Sequence, residues 1–125
     1  MTRLEHVNIT VADPDATAAL LIRLFDWQVR WAGKGMQTGR TVHVGEKDSY
    51  VALFSYGEAA EAHEVSYRTR GGLNHIAVVV DDLDQTEARI KDAGYHTENH
   101  ADYEPGRRFY FTEENGVEIE VVSYA

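Results

Sequence analysis

Cysteine is absent from this chain of 125 residues. Its absence excludes thiol nucleophiles and the usual cysteine-containing zinc sites, so any bound metal has to be held by nitrogen and oxygen atoms. Basic residues are scarce as well, since 12 Lys and Arg stand against 21 Asp and Glu and give a net charge of -9. This negative charge argues against nucleic acid or an anionic membrane surface as the main partner.

Long hydrophobic runs are also missing. No segment approaches the length of a transmembrane helix, and the N-terminal residues lack the apolar stretch of a secretory signal. We therefore expect a cytoplasmic protein. The length suits one domain, with a core that needs neither disulfides nor a structural metal.

An internal repeat is the most informative feature that is present. Residues 4–11 are matched 69 positions later by residues 73–80. Both copies carry a histidine, His6 and His75, at the same place. One supersecondary unit is therefore used twice, as two halves of a single domain.

The first half is predicted to contain a strand, a helix and three further strands. Asp13 is placed to cap the helix, which should end near Phe25 and present Ala16, Leu20 and Leu24 as its apolar stripe. In chain order the elements are a strand at 4–11, the helix, and strands at 27–31, 40–44 and 50–56, with turns at 33–35 and 45–49.

The second half repeats this plan after an aperiodic connector, residues 57–72. Asp82 should cap its helix and Gly94 should follow the helix end. Its elements are a strand at 73–80, a helix to about 93, and strands near 95, at 107–112 and at 117–123, with a hairpin turn at 113–116. We predict an α+β protein with one domain over 1–125, built of module 1 (about 4–56), the connector and module 2 (73–124).

The paired histidines suggest a metal site. Strands that begin the two halves should occupy equivalent places, so His6 and His75 converge if both point to the concave face. Glu118 and Glu120 share one face of the last strand, and if the apolar residues between them pack under the helix, Glu120 faces the concave side. Two imidazoles and one carboxylate form a facial triad that leaves metal positions open for substrate oxygens, water or dioxygen.

These features resemble one protein family over nearly the whole chain. The doubled plan, the Leu-x-His-Val/Ile motif that opens each half, and the segment 109–120 are similar to the vicinal oxygen chelate superfamily. That superfamily includes glyoxalase I, extradiol ring-cleavage dioxygenases, fosfomycin-resistance transferases, methylmalonyl-CoA epimerase and bleomycin-resistance proteins. The resemblance implies two tandem βαβββ modules that form a curved mixed sheet, a half-barrel around a metal-binding groove with the helices outside.

The resemblance also assigns candidate roles to individual residues. His6, His75 and Glu120 fall on the ligand positions for one divalent ion (Fe, Mn, Zn or Ni). Tyr110 falls on a tyrosine that ring-cleavage dioxygenases and fosfomycin-resistance enzymes place beside the substrate. Ala52, or Leu53 in a register shifted by one, stands where glyoxalase I and the epimerase usually have a fourth ligand.

The three-ligand set favours chemistry like that of the ring-cleavage dioxygenases or fosfomycin transferases over ordinary glyoxalase I activity. The expected substrate is a small molecule that chelates the metal through neighbouring oxygens, such as a catecholate, an enediolate, an α-hydroxy acid or a phosphonate. Tyr110 would donate a hydrogen bond to the developing anion or take a proton from it. An arginine, Arg107 or Arg108, would pair with an anionic substrate group, and strand alternation favours Arg108 because it shares the face of Tyr110.

The sequence leaves the roles of several residues, and the choice between an enzyme and other kinds of protein, undecided. His43 and Tyr50 lie on first-half strands and could line the pocket, while His63 and His100 are the candidates for the second-sphere histidine of a ring-cleavage enzyme. The alternatives to an enzyme are a metal-free binding protein of the bleomycin-resistance type and a relic that keeps the fold without turnover. The resemblance implies a homodimer, and in a dimer that exchanges its halves His6 would come from one chain and His75 with Glu120 from the other.

Overall fold

Residues 2–34, 39–57 and 67–125 are described here from a computed structural model. The chain divides into two compact units, Met1–Glu61 and Ala62–Ala125. Most of the predicted connector, residues 58–66, lies outside the described residues, and His63 with it. In the part of the chain that is described, no helix is long and apolar enough to cross a membrane.

The first unit consists of one helix and a four-stranded mixed sheet. The sheet order is β1-β4-β3-β2, in which β1 runs parallel to β4 and the other neighbours are antiparallel. Its elements are β1 (His6–Thr10), α1 (Pro14–Phe25), β2 (Gln28–Lys34), β3 (Arg40–Gly45) and β4 (Tyr50–Ser55).

The second unit repeats this arrangement. Its sheet order is β5-β8-β7-β6, again with one parallel pair, β5 and β8. Its elements are β5 (Ile76–Val79), α2 (Leu83–Asp92), β6 (Glu98–Tyr103), β7 (Gly106–Thr112) and β8 (Glu118–Ser123). The predicted α+β class with tandem βαβββ modules is therefore confirmed.

Both helices begin where the sequence predicts. The Asp13 carboxylate accepts a hydrogen bond from the Ala16 amide at 3.2 Å, and the Asp82 carboxylate accepts one from the Gln85 amide at 3.0 Å. Each bond satisfies an amide that has no partner within its helix. Gly94 follows α2 with a φ of 97°, a conformation that favours glycine at a helix end.

The core of each unit lies between its helix and one side of its sheet. Strand alternation sends every second side chain to this side, where each fully buried large apolar side chain contributes roughly 1.5–3 kcal/mol. These buried residues are Ala18, Leu21, Leu24, Val42, Val44, Val51 and Leu53 in the first unit and Val78, Leu83, Ile90, Phe109, Phe111, Ile119 and Val121 in the second. The other side of each sheet, which we call the helix-distal face, carries the candidate functional residues.

The predicted stripe of α1 and the predicted start of β6 were wrong. The stripe of α1 is formed by Pro14, Ala18, Leu21 and Leu24, so only Leu24 of the predicted set belongs to it. Apolar residues, mainly alanine and leucine, occur on nearly all sides of this helix. The sequence alone therefore does not show which side packs against the sheet. The strand expected near Tyr95 begins at Glu98 instead.

The turn predicted at 33–35 was also wrong for its first two residues. Gly33 and Lys34 belong to β2, where Gly33 pairs with Thr41 of β3. The indole of Trp31 lies over Gly33, and a Cβ atom there would come within 2.8 Å of the Trp31 ring. A side chain at Gly33 would therefore require the Trp31 ring to move, and the residue does not form a turn.

Candidate functional site

Glu120 lies at the centre of a polar cluster in the second unit. On β8 it is flanked by Tyr110 of β7 and Ala77 of β5, with its side chain on the helix-distal face. The neighbouring Ile119 and Val121 are completely buried on the helix side, as the alternation of this strand predicts. Glu120 itself is 7% exposed, so its charge needs partners.

Three side chains supply those partners. The Tyr110 hydroxyl donates to Glu120 Oε1 at 3.0 Å, and Arg108 Nη1 donates to Oε2 at 3.3 Å. His75 Nε2 lies 3.2 Å from the same Oε1 atom. The structure thus brings together four of the five site residues predicted from the sequence: Arg108, Tyr110, His75 and Glu120.

The donor atoms of His75 and Glu120 have a spacing that suits a shared metal ion. Bonds of about 2.1 Å from one ion, set at right angles, separate two ligand atoms by about 3 Å. The 3.2 Å between His75 Nε2 and Glu120 Oε1 matches this separation. A neutral imidazole nitrogen and a carboxylate oxygen are also ligands that Mn, Fe, Ni and Zn accept.

The other ring nitrogen of His75, Nδ1, also has a polar partner. Its Nδ1 atom lies 3.4 Å from the Tyr67 hydroxyl, and this hydroxyl donates a short hydrogen bond to Glu118 Oε1. The bond to Glu118, together with burial, raises the pKa of Tyr67 to about 12. Sequence reasoning missed Tyr67 because it lies in the aperiodic connector, where the only available signal was an isolated aromatic residue eight positions before His75.

Arg108 and Tyr110 have environments that suit an anionic ligand. Burial, and secondly the hydrogen bond to Glu120, raises the pKa of Tyr110, so its hydroxyl is a donor near neutral pH. The Arg108 guanidinium lies 4.9 Å from the Tyr103 ring centre, and its buried Nε has no hydrogen-bond partner among the residues that the structure describes. An orphaned donor of this kind costs roughly 1–3 kcal/mol, which a ligand oxygen would recover.

Arg107 and Arg108, the two candidates for the anion-binding arginine, lie on opposite faces of the sheet. Arg107 Nη2 donates to Asp84 of α2 at 2.9 Å, which places this side chain on the helix side of the sheet. Arg108 shares the helix-distal face with Tyr110 and Glu120. Strand alternation predicted this difference in facing correctly, and the pairing of Arg108 with a substrate group stays a prediction.

His6 occupies the corresponding place in the first unit. Its Nδ1 lies 2.9 Å from Glu5 Oε1, which also accepts a hydrogen bond from the Tyr50 hydroxyl at 3.1 Å. The hydrogen bonds from His6 and Tyr50 lower the pKa of Glu5. Both candidate ligand histidines therefore have an oxygen partner at Nδ1, which leaves Nε2 to face a metal.

Rings cover the helix-distal face of the first sheet around His6. Tyr50 stacks on His6 with ring centres 4.8 Å apart and on His43 at 4.6 Å, and Trp31 lies 5.2 Å from His43. The Arg30 guanidinium lies 4.5 Å from the centre of the Tyr50 ring. Burial lowers the pKa of His43, which favours its neutral form. His43 and Tyr50 thus share a face with His6, and their place in a substrate pocket stays a prediction.

The register of the two sheets identifies the counterpart of Glu120. Ala52 pairs with Asn8 in the first sheet as Glu120 pairs with Ala77 in the second. Ala52 is therefore the residue at the fourth-ligand position, and the shifted alternative, Leu53, points to the core. A methyl group cannot bind a metal, so Ala52 offers no ligand at this position.

His100, the described candidate for a second-sphere histidine, does not join this cluster. His100 Nε2 lies 2.6 Å from Glu87 of α2, and its ring stacks on Phe109, a helix-side residue. It is thus on the opposite face of the sheet from Glu120. Among residues 2–34, 39–57 and 67–125, no three His, Asp or Glu side chains are grouped as a ready metal site. His6 belongs to the first unit, whereas His75 and Glu120 belong to the second.

Comparison with known proteins gives a match to one family. The family model described as Glyoxalase/Bleomycin resistance protein/Dioxygenase superfamily matches residues 3–121. No curated protein matches the chain.

Solved structures resemble the chain over nearly its full length. A glyoxylase/bleomycin resistance protein/dioxygenase domain from Frankia sp. EAN1pec is 20% identical, with a TM-score of 0.81 and 98% of each chain covered. The fosfomycin resistance protein FosX from Mesorhizobium loti is 24% identical, with a TM-score of 0.74 and coverage of 98% of this chain and 91% of that one. A FosX mutant from Listeria monocytogenes, complexed with Mn(II) and 1S,2S-dihydroxypropylphosphonic acid, is 19% identical, with a TM-score of 0.76 and coverage of 98% and 92%. At these identities the likeness concerns the fold.

Proposed function

Because the chain belongs to the Glyoxalase/Bleomycin resistance protein/Dioxygenase superfamily, we propose that it is a divalent-metal-dependent enzyme. Its substrate is a small anion that binds the metal through neighbouring oxygens. The observation that carries this proposal is the paired approach of His75 Nε2 and Glu120 Oε1, with Nδ1 of the histidine already occupied. His6, from the same chain or from a second copy, is the proposed third ligand.

The residues around Glu120 support specific roles in such an enzyme. When bound, the divalent ion supplies a Lewis acid that holds and polarises the two substrate oxygens. Arg108 offers its unpartnered Nε to an anionic group of the substrate. Tyr110 keeps its proton near neutral pH and donates it in a hydrogen bond to charge that develops on the substrate.

The reaction class that these residues favour does not use a fourth ligand. Ala52 at that position weighs against ordinary glyoxalase I chemistry. His100, the described candidate for a second-sphere histidine, faces α2, so a ring-cleavage mechanism lacks its usual acid-base group among the described residues. We therefore favour addition or transfer to a small phosphonate or related oxyanion, in keeping with the ligand of the Listeria FosX structure.

Metal analysis of the anaerobically purified protein tests the proposal. We expect one divalent ion per chain in the wild type and loss of that ion in His75→Ala and Glu120→Ala, because each variant removes a ligand. The exposed His96 and Glu98 provide matched controls, and His96→Ala and Glu98→Ala should keep the metal. Failure of the wild type to bind Mn, Fe, Ni or Zn would overturn the proposal and favour a metal-free binding protein.

A further inference from the structure

Tyr67 and Glu118 form a directional link to His75 that the proposed chemistry does not itself use. The Tyr67 hydroxyl has one proton, and it is donated to Glu118 Oε1. The hydroxyl oxygen therefore remains as an acceptor where it faces His75 Nδ1, at 3.4 Å. On this side of the ring, the contact favours an Nδ1 that carries a hydrogen, because the hydroxyl has no second hydrogen to donate.

The resulting tautomer is the one that a metal ligand requires. A neutral imidazole carries one hydrogen, so a hydrogen at Nδ1 leaves a lone pair at Nε2. Nε2 is the atom that lies 3.2 Å from Glu120 Oε1, where a metal is proposed. We propose that Tyr67, held by Glu118, is a positioning residue that fixes His75 in the Nδ1–H tautomer.

The first unit offers an independent parallel. His6 Nδ1 faces the Glu5 carboxylate directly at 2.9 Å, and a carboxylate accepts hydrogen bonds but cannot donate them when ionised. His75 reaches its carboxylate, Glu118, through the intervening tyrosine. A glutamate on the Nδ1 side of the ring thus orients each histidine. Removal of such a partner typically weakens metal affinity 10–100-fold.

This inference rests on the proposed function for its purpose, but its test does not need bound metal. Nitrogen NMR of ¹⁵N-labelled metal-free protein at pH 8.5, well above the ordinary histidine pKa of about 6.5, reports which ring nitrogen carries the hydrogen. In the metal-free wild type, Glu120 Oε1 lies 3.2 Å from Nε2 and itself favours a hydrogen there, so the comparison is made in the Glu120→Ala background. In that background we expect the Nδ1–H tautomer for His75 with Tyr67 intact and a mixture in Tyr67→Phe. Tyr124→Phe is the control, since Tyr124 is exposed and its hydroxyl has no hydrogen bond within the described residues.

Two changes at Glu118 separate this role from simple packing. In Glu118→Ala the Tyr67 proton has lost its acceptor and is free to turn to His75 Nδ1, so the tautomer should shift toward Nε2–H although Tyr67 is intact. Glu118→Gln keeps an acceptor oxygen and should preserve Nδ1–H. Chelator competition with Mn(II) should then give a 10–100-fold weaker affinity in Tyr67→Phe and Glu118→Ala, and a much smaller loss in Glu118→Gln.

The two proposals fail in different ways. An Nδ1–H tautomer retained in both Tyr67→Phe and Glu118→Ala would overturn the positioning role, even if the protein binds metal. A tautomer that responds to both changes as expected, combined with a wild type that binds no divalent ion, would support the role of Tyr67 and overturn the enzyme proposal instead.

Discussion

Arg108 and Arg107 are adjacent residues with opposite environments, which makes them a natural test of the anion site. Arg108 contacts Glu120 and has an orphaned Nε, whereas Arg107 pairs with Asp84 on the helix side. We expect Arg108→Met to weaken the binding of methylphosphonate to the Mn(II)-loaded protein about 10–100-fold, the effect of one or two charged hydrogen bonds. Isothermal titration calorimetry measures this difference.

Arg107→Met is the control for that experiment and should bind methylphosphonate like the wild type. The metal content of both variants should remain unchanged, since neither arginine is a ligand. Equal affinities of the two variants would argue against an anion site at Arg108.

Glu87 gives a prediction for pH dependence away from the proposed metal site. Burial raises its pKa, but hydrogen bonds from Thr97 and His100 and the charges of His100 and Lys91 outweigh this effect, so the pKa lies below the ordinary value of 4.5. The ionised form is therefore favoured by folding. Its contribution to stability is present above pH 4.5 and is lost as the pH falls through the lower folded-state pKa.

We expect Glu87→Gln to lower the free energy of unfolding by roughly 1–2 kcal/mol at pH 7, the difference between a charged and a neutral acceptor. Wild type and variant should converge as the pH falls below the folded-state pKa of Glu87. Urea denaturation at several pH values measures this, with the exposed Glu98→Gln as control. A difference that stays constant as the pH falls through that pKa would contradict the assignment.

For single residues, strand alternation was the pattern that allowed the sequence to predict which face a side chain takes. The positions of Glu120 and Arg108 depend only on which neighbours are apolar, so both were foreseen. Tyr67 was not, because its contact with His75 joins an aperiodic segment to a strand. No periodic pattern specifies such a contact.

Helix α2 allows the contribution of a capping residue to be measured at the level of one element. Asp82 accepts the Gln85 amide at 3.0 Å, and its carbonyl accepts both the amide and the hydroxyl of Thr86. We expect Asp82→Ala to lower the free energy of unfolding by about 1 kcal/mol, since one helical amide loses its acceptor. Asp81→Ala removes the same charge one residue earlier without touching the cap, and thermal or urea unfolding should show a smaller loss.

Elements were predicted well where their ends are determined locally. The caps at Asp13 and Asp82 act within one helical turn, and both helices begin as expected. Edge strands were predicted less well, because their extent depends on the neighbouring strand. β2 continues through Gly33 since β3 provides partners there, and β6 starts late, beside a register shift between Glu98 and Ala101.

The internal repeat made the architecture of both units predictable from the sequence. Its register even identified Ala52 as the counterpart of Glu120, which the strand pairing confirms. The oligomeric state was harder to predict from the sequence, because exposed surfaces show no such periodicity. One suggestive feature is β2, an edge strand whose Val29 and Trp31 are 47% and 50% exposed.

We therefore predict a homodimer, because an edge strand with two exposed large apolar side chains is normally covered. Sedimentation equilibrium should give twice the chain mass of 14.1 kDa, and a monomer at micromolar concentration would contradict the prediction. Mixing and refolding His6→Ala with His75→Ala then tests how the ligands are shared. If each site takes His6 from one chain and His75 from the other, about a quarter of the wild-type metal sites should return, since half of the dimers are mixed and each has one intact site. If each site lies within one chain, none should return.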